Sequence, residues 1–232
     1  MGIWAALGGL LLLAAGYFLG AWVARRRERA LKATLDERTE KLSVAENEVL
    51  RLSALDPVTQ LPTQQSVQEF LEREWRRALR SKTFISLIMI DVDHFRAYNE
   101  RLGQAAADLC LKQVAEALRT LVRRSGDLLS RYGGGEFAVV LAGVDSSGAF
   151  TLATQLQAAV NALALPHPAS PTADCVTVSL GLATVMPARN AEWQDIELIA
   201  KAERALSEAR QTGRNRIVNE LDMGEATGTA SS

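Results

Sequence analysis

Residues 84–91 read Phe-Ile-Ser-Leu-Ile-Met-Ile-Asp, a nearly unbroken apolar run that stops on a carboxylate. The run is short and bounded, so it predicts a strand covered on both faces rather than a helix. A strand of that kind needs helices on either side, which commits the chain to a layered α/β domain. It also puts Asp91 at the carboxyl edge of the sheet, beside Val92 and Asp93. A carboxylate there, next to free backbone carbonyls, is where a hard cation can be held against a triphosphate.

Elements alternate around this strand. Val67, Phe70, Leu71, Trp75, Ala78 and Leu79 fall at helical spacing and predict a helix over 64–80. Residues 104–124, 148–164 and 193–211 also read as helices, the last stopped by Gly213. Residues 128–132 and 136–142 flank Gly133, Gly134 and Gly135 in the pattern of a β-hairpin. Strands are predicted at 175–185 and 214–218, with a surface loop over 165–174. The order is α-β-α-β-β-α-β-α-β, a central mixed sheet of about five strands flanked by helices.

Composition narrows the function. With 26 Lys and Arg against 27 Asp and Glu, no basic excess exists to neutralise phosphates, which argues against nucleic acid as a partner. Cys110 and Cys175 lie among apolar residues and read as buried free thiols. His94 and His167, the only histidines, are too few for a zinc cluster.

The N-terminus has another character. Residues 3–24 carry no charge and are long enough to cross a bilayer as a helix. Arg25, Arg26, Arg27 and Arg29 follow, and no basic residue precedes, the pattern of an uncleaved anchor with the rest of the chain on the cytoplasmic side. Gly16 and Gly20 form a GxxxG pair that suits close helix contact. Residues 25–54 lack Gly and Pro. Leu31, Arg38, Ala45 and Leu52 recur every seven, with Leu35, Leu42 and Val49 four residues after the first three. That seam predicts a short parallel coiled coil and hence a homodimer, the alternative being one amphipathic helix lying on the domain. The domain proper is expected over 55–218 and a disordered tail over 219–232.

The segments DPVTQLP (56–62), IDVDHFRAYNE (90–100), RSGDLLSRYGGGEFAVVL (124–141), VSLGLA (178–183) and AERALSEARQTGRNRI (202–217) resemble, in order and spacing, the bacterial GGDEF (diguanylate cyclase) domain family. The resemblance implies a nucleotide-cyclase-like fold and a bacterial protein, for which the apolar run at 3–24 makes the inner membrane the expected location. It also implies a reaction that condenses two GTP into cyclic di-GMP, each subunit of a dimer holding one GTP and two divalent cations, Mg2+ or Mn2+. By the same resemblance Asp91 and the Val92 carbonyl bind metal, with Glu136 as the next carboxylate. Asn99 and Asp108 then read guanine, and Arg210 and Arg214 contact phosphate.

The departures from the family pattern cluster. Gln60 replaces a usual Gly, Thr63 and Gln64 an Asn-Arg pair, Gln104 a His, Ala107 a Gly, Ser207 a Tyr, and Glu100 and Glu203 each an Asp; Arg210 stands where Lys is usual. Most consequential is Gly135, at the position of a metal-binding Asp or Glu. Two cations clamp an in-line displacement by neutralising attacking and leaving oxygens, and glycine offers them no ligand. Losing about 4 kcal/mol of transition-state stabilisation slows a reaction roughly a thousandfold. Neighbouring strand residues point to opposite faces, so Glu136 is expected to substitute only through a local slip of the hairpin.

Arg124 and Asp127 form an RxxD at the offset of the family's inhibitory product site, where arginine grips phosphate and guanine while aspartate accepts from guanine nitrogens. Alone, the same pair also reads as a helix-end arginine and a turn aspartate. The leading expectation is a membrane-anchored, catalytically degenerate receptor for cyclic di-GMP. An active or weakly active diguanylate cyclase is the alternative, and a dimeric scaffold binding no nucleotide is a third. If the seam dimerises the chain, deleting residues 31–52 shifts its sedimentation toward monomer at roughly tens of micromolar. An unchanged profile rejects the coiled coil.

Overall fold

The computed structural model describes residues 55–188 and 194–223, together with Arg38. The expected membrane helix at 3–24, the heptad seam at 31–52 and most of the expected tail lie outside the described residues. Among the described residues no helix is long and apolar enough to cross a membrane, and this overturns the expectation of a single-pass membrane protein. The described helices reach at most 18 residues, and the longer ones each bury a stripe of residues in the core.

The chain runs α1 (Gln64–Ser81), β1 (Ile85–Val92), α2 (Phe95–Leu102), α3 (Gln104–Leu121), β2 (Asp127–Gly133), β3 (Glu136–Ala142), α4 (Ser146–Ala162), β4 (Val178–Val185), α5 (Gln194–Gln211) and β5 (Ile217–Asn219). The five strands form one mixed sheet in the order β2-β3-β1-β4-β5. β1 is central and antiparallel to β3 and β4, while β5 joins β4 in parallel. The alternating order expected from the sequence holds with one addition. α2 is a separate short helix, divided from α3 by Gly103, whose φ of 84° breaks the helical path at no steric cost. The strand expected from 175 begins only at Val178.

β1 is buried along nearly its whole length, and its period of two divides the core. Ile88, Ile90 and Val92 join residues of α3 and α4 in one cluster. Ile85, Leu87 and Met89 join residues of α1 and α5 in another. By this parity Asp91 belongs to the α5 side. β3 obeys the same rule, with Phe137, Val139 and Leu141 on the α3/α4 side and Ala138 and Val140 on the α5 side.

α5 lies unusually close to β4. A Cβ added at Gly181 would sit 2.2 Å from the Leu206 nitrogen and 2.3 Å from the Ala202 oxygen. The helix presents Ala202, Ala205 and Ala209 as buried small residues, so its backbone rests almost directly on the strand. That approach fixes the height of everything α5 carries at its carboxyl end.

The segment before α1 is a built turn. Asp56 Oδ1 accepts from the Thr59 N–H and hydroxyl, both at 2.7 Å, and Gln60 stands at a φ of 57°. This left-handed position favours glycine, which explains the residue usual there in the family. The turn docks on β2, where the Arg131 N–H and the Ser130 hydroxyl both donate to the Pro62 carbonyl, at 2.9 and 2.8 Å.

Gly181→Ala is expected to destabilise the protein by about 3 kcal/mol, because the clash is with helix backbone and no rotamer relieves it. Urea unfolding of the two proteins measures the difference. A loss below about 1 kcal/mol contradicts the close approach.

Candidate functional site

At the carboxyl edge of β1 the sheet opens into a cleft of about 590 Å³, lined by Asp91, Val92, Asn99, Glu136, Arg210 and Arg214 among others. Three consecutive glycines form its rim, Gly133 and Gly134 at φ of 150° and 49°, where the β2–β3 register shifts after Arg131. A side chain at either would be strained, and the turn needs both.

Asp91 and Glu136 are direct cross-strand partners, so their side chains share the α5 face of the sheet. Glu136 thus meets Asp91 with no slip of the hairpin, although it stays on the opposite face from Gly135, whose place the sequence expected it to fill only by slipping. Arg210, from the last turn of α5, reaches down between them. Its Nε lies 2.9 Å from Asp91 Oδ2, and its Nη2 donates to Glu136 Oε1 at 2.5 Å. The Nε–H is not aligned on an acceptor, so the first contact is ionic rather than a hydrogen bond.

These groups move one another's titration. Burial pushes the Asp91 carboxyl up to about 6; Arg210 opposes that shift, and Glu136 and Asp93 add to it. For Arg210, burial works against the charge, but Asp91 and Glu136 outweigh it and raise its pKa above the usual value.

Asp93, fully buried, holds the edge in place. Its carboxylate accepts from the Thr177 hydroxyl at 2.7 Å, the Ser179 hydroxyl at 2.6 Å and the Asn215 N–H at 3.0 Å. Its own N–H donates to the Thr177 carbonyl at 2.9 Å. The turn after α5 is thereby tied to β1, although Arg214 and Asn215 both stand in left-handed backbone, φ 60° and 46°. Strain of this kind persists when surrounding contacts over-determine it, and here it delivers Arg214 to the cleft. Motif spacing showed that Asp93 was present but not that it was a hub, because its partners lie 84 to 122 positions away.

Arg131 is a second residue whose role only the fold reveals. Its Nη2 donates to the Gly134 carbonyl, its guanidinium lies over the Phe137 ring at 5.6 Å, and its Nη1 is 3.8 Å from Asp56. Burial lowers its pKa against the pull of Asp56 and Asp108. It joins the hairpin turn to the segment before α1.

Two expected positions stand apart. Asp108 does not line the cleft; Gln104 Nε2 donates to its Oδ1 at 2.7 Å. At Gly135 the backbone carbonyl accepts from the Val92 N–H at 3.0 Å, and a Cβ would fall 2.9 Å from Phe95 Cβ. The Phe95 side chain has closed over the space a carboxylate stem would need. The donor set does not fit a pair of divalent cations. It offers two side-chain carboxylates, both engaged by Arg210, and among the described residues no three His, Cys, Asp or Glu side chains gather to hold a metal ion.

Arg124 lies elsewhere, in a second groove of about 500 Å³ between α1 and the β2–β3 edge, with Glu74, Arg77, Ser125, Gly126 and Gly143. Asp127 does not line it. Its N–H donates to the Arg124 carbonyl at 3.0 Å, one of its oxygens is buried without a partner among the described residues, and burial raises its pKa against the pull of Arg124. Arg77 went unnoticed in the sequence because it sits on α1, far from the RxxD, and reads as an ordinary exposed helix arginine.

The sheet order, the cleft at the β1 edge and the glycine hairpin define a GGDEF-like α/β domain. The chain belongs to the GGDEF family: the family model described as Diguanylate cyclase, GGDEF domain, matches residues 53–216. Diguanylate cyclase DgcP of Pseudomonas aeruginosa is 33% identical over 162 residues, covering 70% of this chain and 23% of that protein. Diguanylate cyclase A of Treponema denticola is 31% identical over 137 residues, covering 59% of this chain and 35% of the relative. The chain thus matches well under half of either relative's length. Among solved structures, the GGDEF domain of DgcB from Caulobacter crescentus in complex with c-di-GMP superposes with a TM-score of 0.65 at 26% identity, over 73% of this chain and 96% of that one. Diguanylate cyclase SiaD in complex with its activator SiaC, from Pseudomonas aeruginosa, gives a TM-score of 0.62 at 27% identity, over 94% of this chain and 82% of that one.

The raised Asp91 pKa makes a signed prediction. Between about pH 4 and 6 the folded protein holds a proton at Asp91 that the unfolded chain releases. The stability from this group is full below the unfolded pKa and is lost as pH rises through about 6. In Asp91→Asn that part of the pH dependence disappears. Carbon-detected NMR of the Asp91 carboxyl, compared with urea unfolding at each pH, checks both statements, and a midpoint near 4 rejects them.

Proposed function

We propose that the cleft takes GTP and that the domain makes cyclic di-GMP weakly, two copies of the chain each supplying one nucleotide. The convergence of Asp91, Asn99, Glu136, Arg210 and Arg214 on a single strand edge carries this reading. Its support from outside the chain is the family itself and relatives that are diguanylate cyclases by name. In this reading Arg210 and Arg214 bind the phosphates, and Asn99 offers its amide to the guanine edge. Asp108 is the second guanine reader and must first exchange its bond to Gln104. The weakness comes from Gly135, which provides no carboxylate, and from Phe95 packed where one would enter. In relatives Mg2+ or Mn2+ supplies charge neutralisation at the reacting phosphate; here that part falls to arginine.

One observation favours a second reading, a receptor for cyclic di-GMP. Arg77 and Arg124 come from different elements and face one groove, the kind of paired cationic grip that a cyclic dinucleotide phosphate requires. The C. crescentus structure is of a GGDEF domain with c-di-GMP bound.

Incubating the full chain with GTP and Mg2+ or Mn2+ and assaying for cyclic di-GMP tests the first reading. Product is expected roughly a thousandfold below the output of a relative with an acidic residue at this position. Gly135→Asp is expected to raise it only slightly, while costing about 1–3 kcal/mol of stability as Phe95 is displaced. Absence of both product and GTP binding overturns the reading. In the second, cyclic di-GMP binds at about micromolar Kd, Arg124→Ala removes most of that affinity, and Asp91→Ala leaves it intact. Calorimetry showing equal losses from the two substitutions rejects the receptor role.

A further inference from the structure

The Arg210 contacts have a consequence for how a nucleotide is held. Asp91 and Glu136 are both about a fifth to a third exposed, lie on one face of the sheet, and share a single counter-charge. Two carboxylates at a strand edge would repel a triphosphate unless a positive group stood between them and it. A divalent cation does this by taking oxygens from both sides. A guanidinium can do it as well: it is planar, permanently charged, and carries five N–H donors spread in a fork. In Arg210 the Nη2 is hydrogen-bonded to Glu136, and the buried Nε faces Asp91 at 2.9 Å. The donors left for an anion in the cleft are those of Nη1. Arg214 lines the same cleft, while Arg96 at its border is exposed and paired to Glu100 at 2.9 Å. Gly135, beside Glu136, adds no further carboxylate to the edge, and Phe95 occupies the space a side chain there would need.

We propose that the Arg210 guanidinium stands where a divalent cation would sit between Asp91 and Glu136, so that this cleft holds the phosphates of a guanine nucleotide without a metal ion. The proposal rests on the reading of the cleft as a guanine-nucleotide site. It makes Arg210 a nucleotide-binding residue and Asp91 and Glu136 the pair that positions it. Arginine is needed rather than lysine, since an ammonium is a point charge and does not span both carboxylates while keeping donors free.

Calorimetry of the full chain with guanylyl imidodiphosphate, in EDTA and again in excess Mg2+, tests it. The two affinities are expected to agree within about twofold, where a metal-dependent site would differ by more than about tenfold. Arg210→Ala is expected to lose more than about tenfold in EDTA and to regain part of that with Mg2+, because the uncovered carboxylates then accept a cation. Arg210→Lys falls between the two. Mn2+ titration followed by electron paramagnetic resonance, with no nucleotide present, gives a reading independent of nucleotide affinity. No saturable Mn2+ binding is expected in the native chain, and one site is expected in Arg210→Ala. Circular dichroism melts of each variant confirm that the fold persists. Nucleotide binding that appears only with Mg2+ overturns the proposal and leaves the nucleotide reading standing. No binding under either condition removes both.

Discussion

The buried carboxylate of Asp93 is the contact on which the functional edge depends. A carboxylate taken wholly out of water is costly unless its oxygens are met by donors, and here three donors from two other parts of the chain meet them. The hydroxyls of Thr177 and Ser179 come from the entry to β4, and the N–H of Asn215 from the turn after α5. One carboxylate thus ties together the end of β1, the entry to β4 and the turn after α5. The position of the Val92 carbonyl and the strained backbone at Arg214 both follow from that closure.

Above this base, the sheet's period of two decides which groups meet. Odd positions of β1 and even positions of β3 face α5, which brings Asp91, Glu136 and Arg210 into contact. The opposite parity sends Gly135 toward Phe95, away from the arginine. A one-residue deletion at the hairpin would exchange these partners. Gly181 sets the second coordinate, since the close approach of α5 to β4 brings Arg210 low enough to reach both carboxylates. A bulkier residue in the sheet, far from any nucleotide, would lift the arginine out of the pair.

The two grooves divide the domain's chemistry. The cleft at the β1 edge combines acids with arginines and glycines, and its acids are already neutralised from within. The groove by α1 is defined by Arg77 and Arg124, with Asp127 set back from its lining. In the proposed readings the cleft takes the nucleotide and the groove its cyclic product, and glycine at position 135 favours binding over synthesis. The relatives fit either emphasis, being cyclases by name in one case and captured with c-di-GMP in another.

The amino-acid sequence by itself determined the layered α/β architecture, the central strand, read at 84–91 and found at 85–92, the glycine hairpin and the family. These rest on local period and on motifs whose residues are close in the chain, and both survive without knowledge of the fold. It also named Asp91, Val92, Asn99, Asp108, Glu136, Arg210 and Arg214, of which all but Asp108 line one cleft. What it misjudged depended on distant partners. Alternation set Glu136 and Gly135 on opposite faces, but which of the two meets Asp91 was decided by the register between strands. Residues 3–24 suggested a membrane span, whereas among the described residues no helix is long and apolar enough to form one. Only the tertiary structure decided that Asp93 is a hub, that Phe95 fills the space beside Gly135, and that Arg210 bridges two acids. Each of those is a contact across dozens of residues, fixed by packing distances that no local pattern encodes.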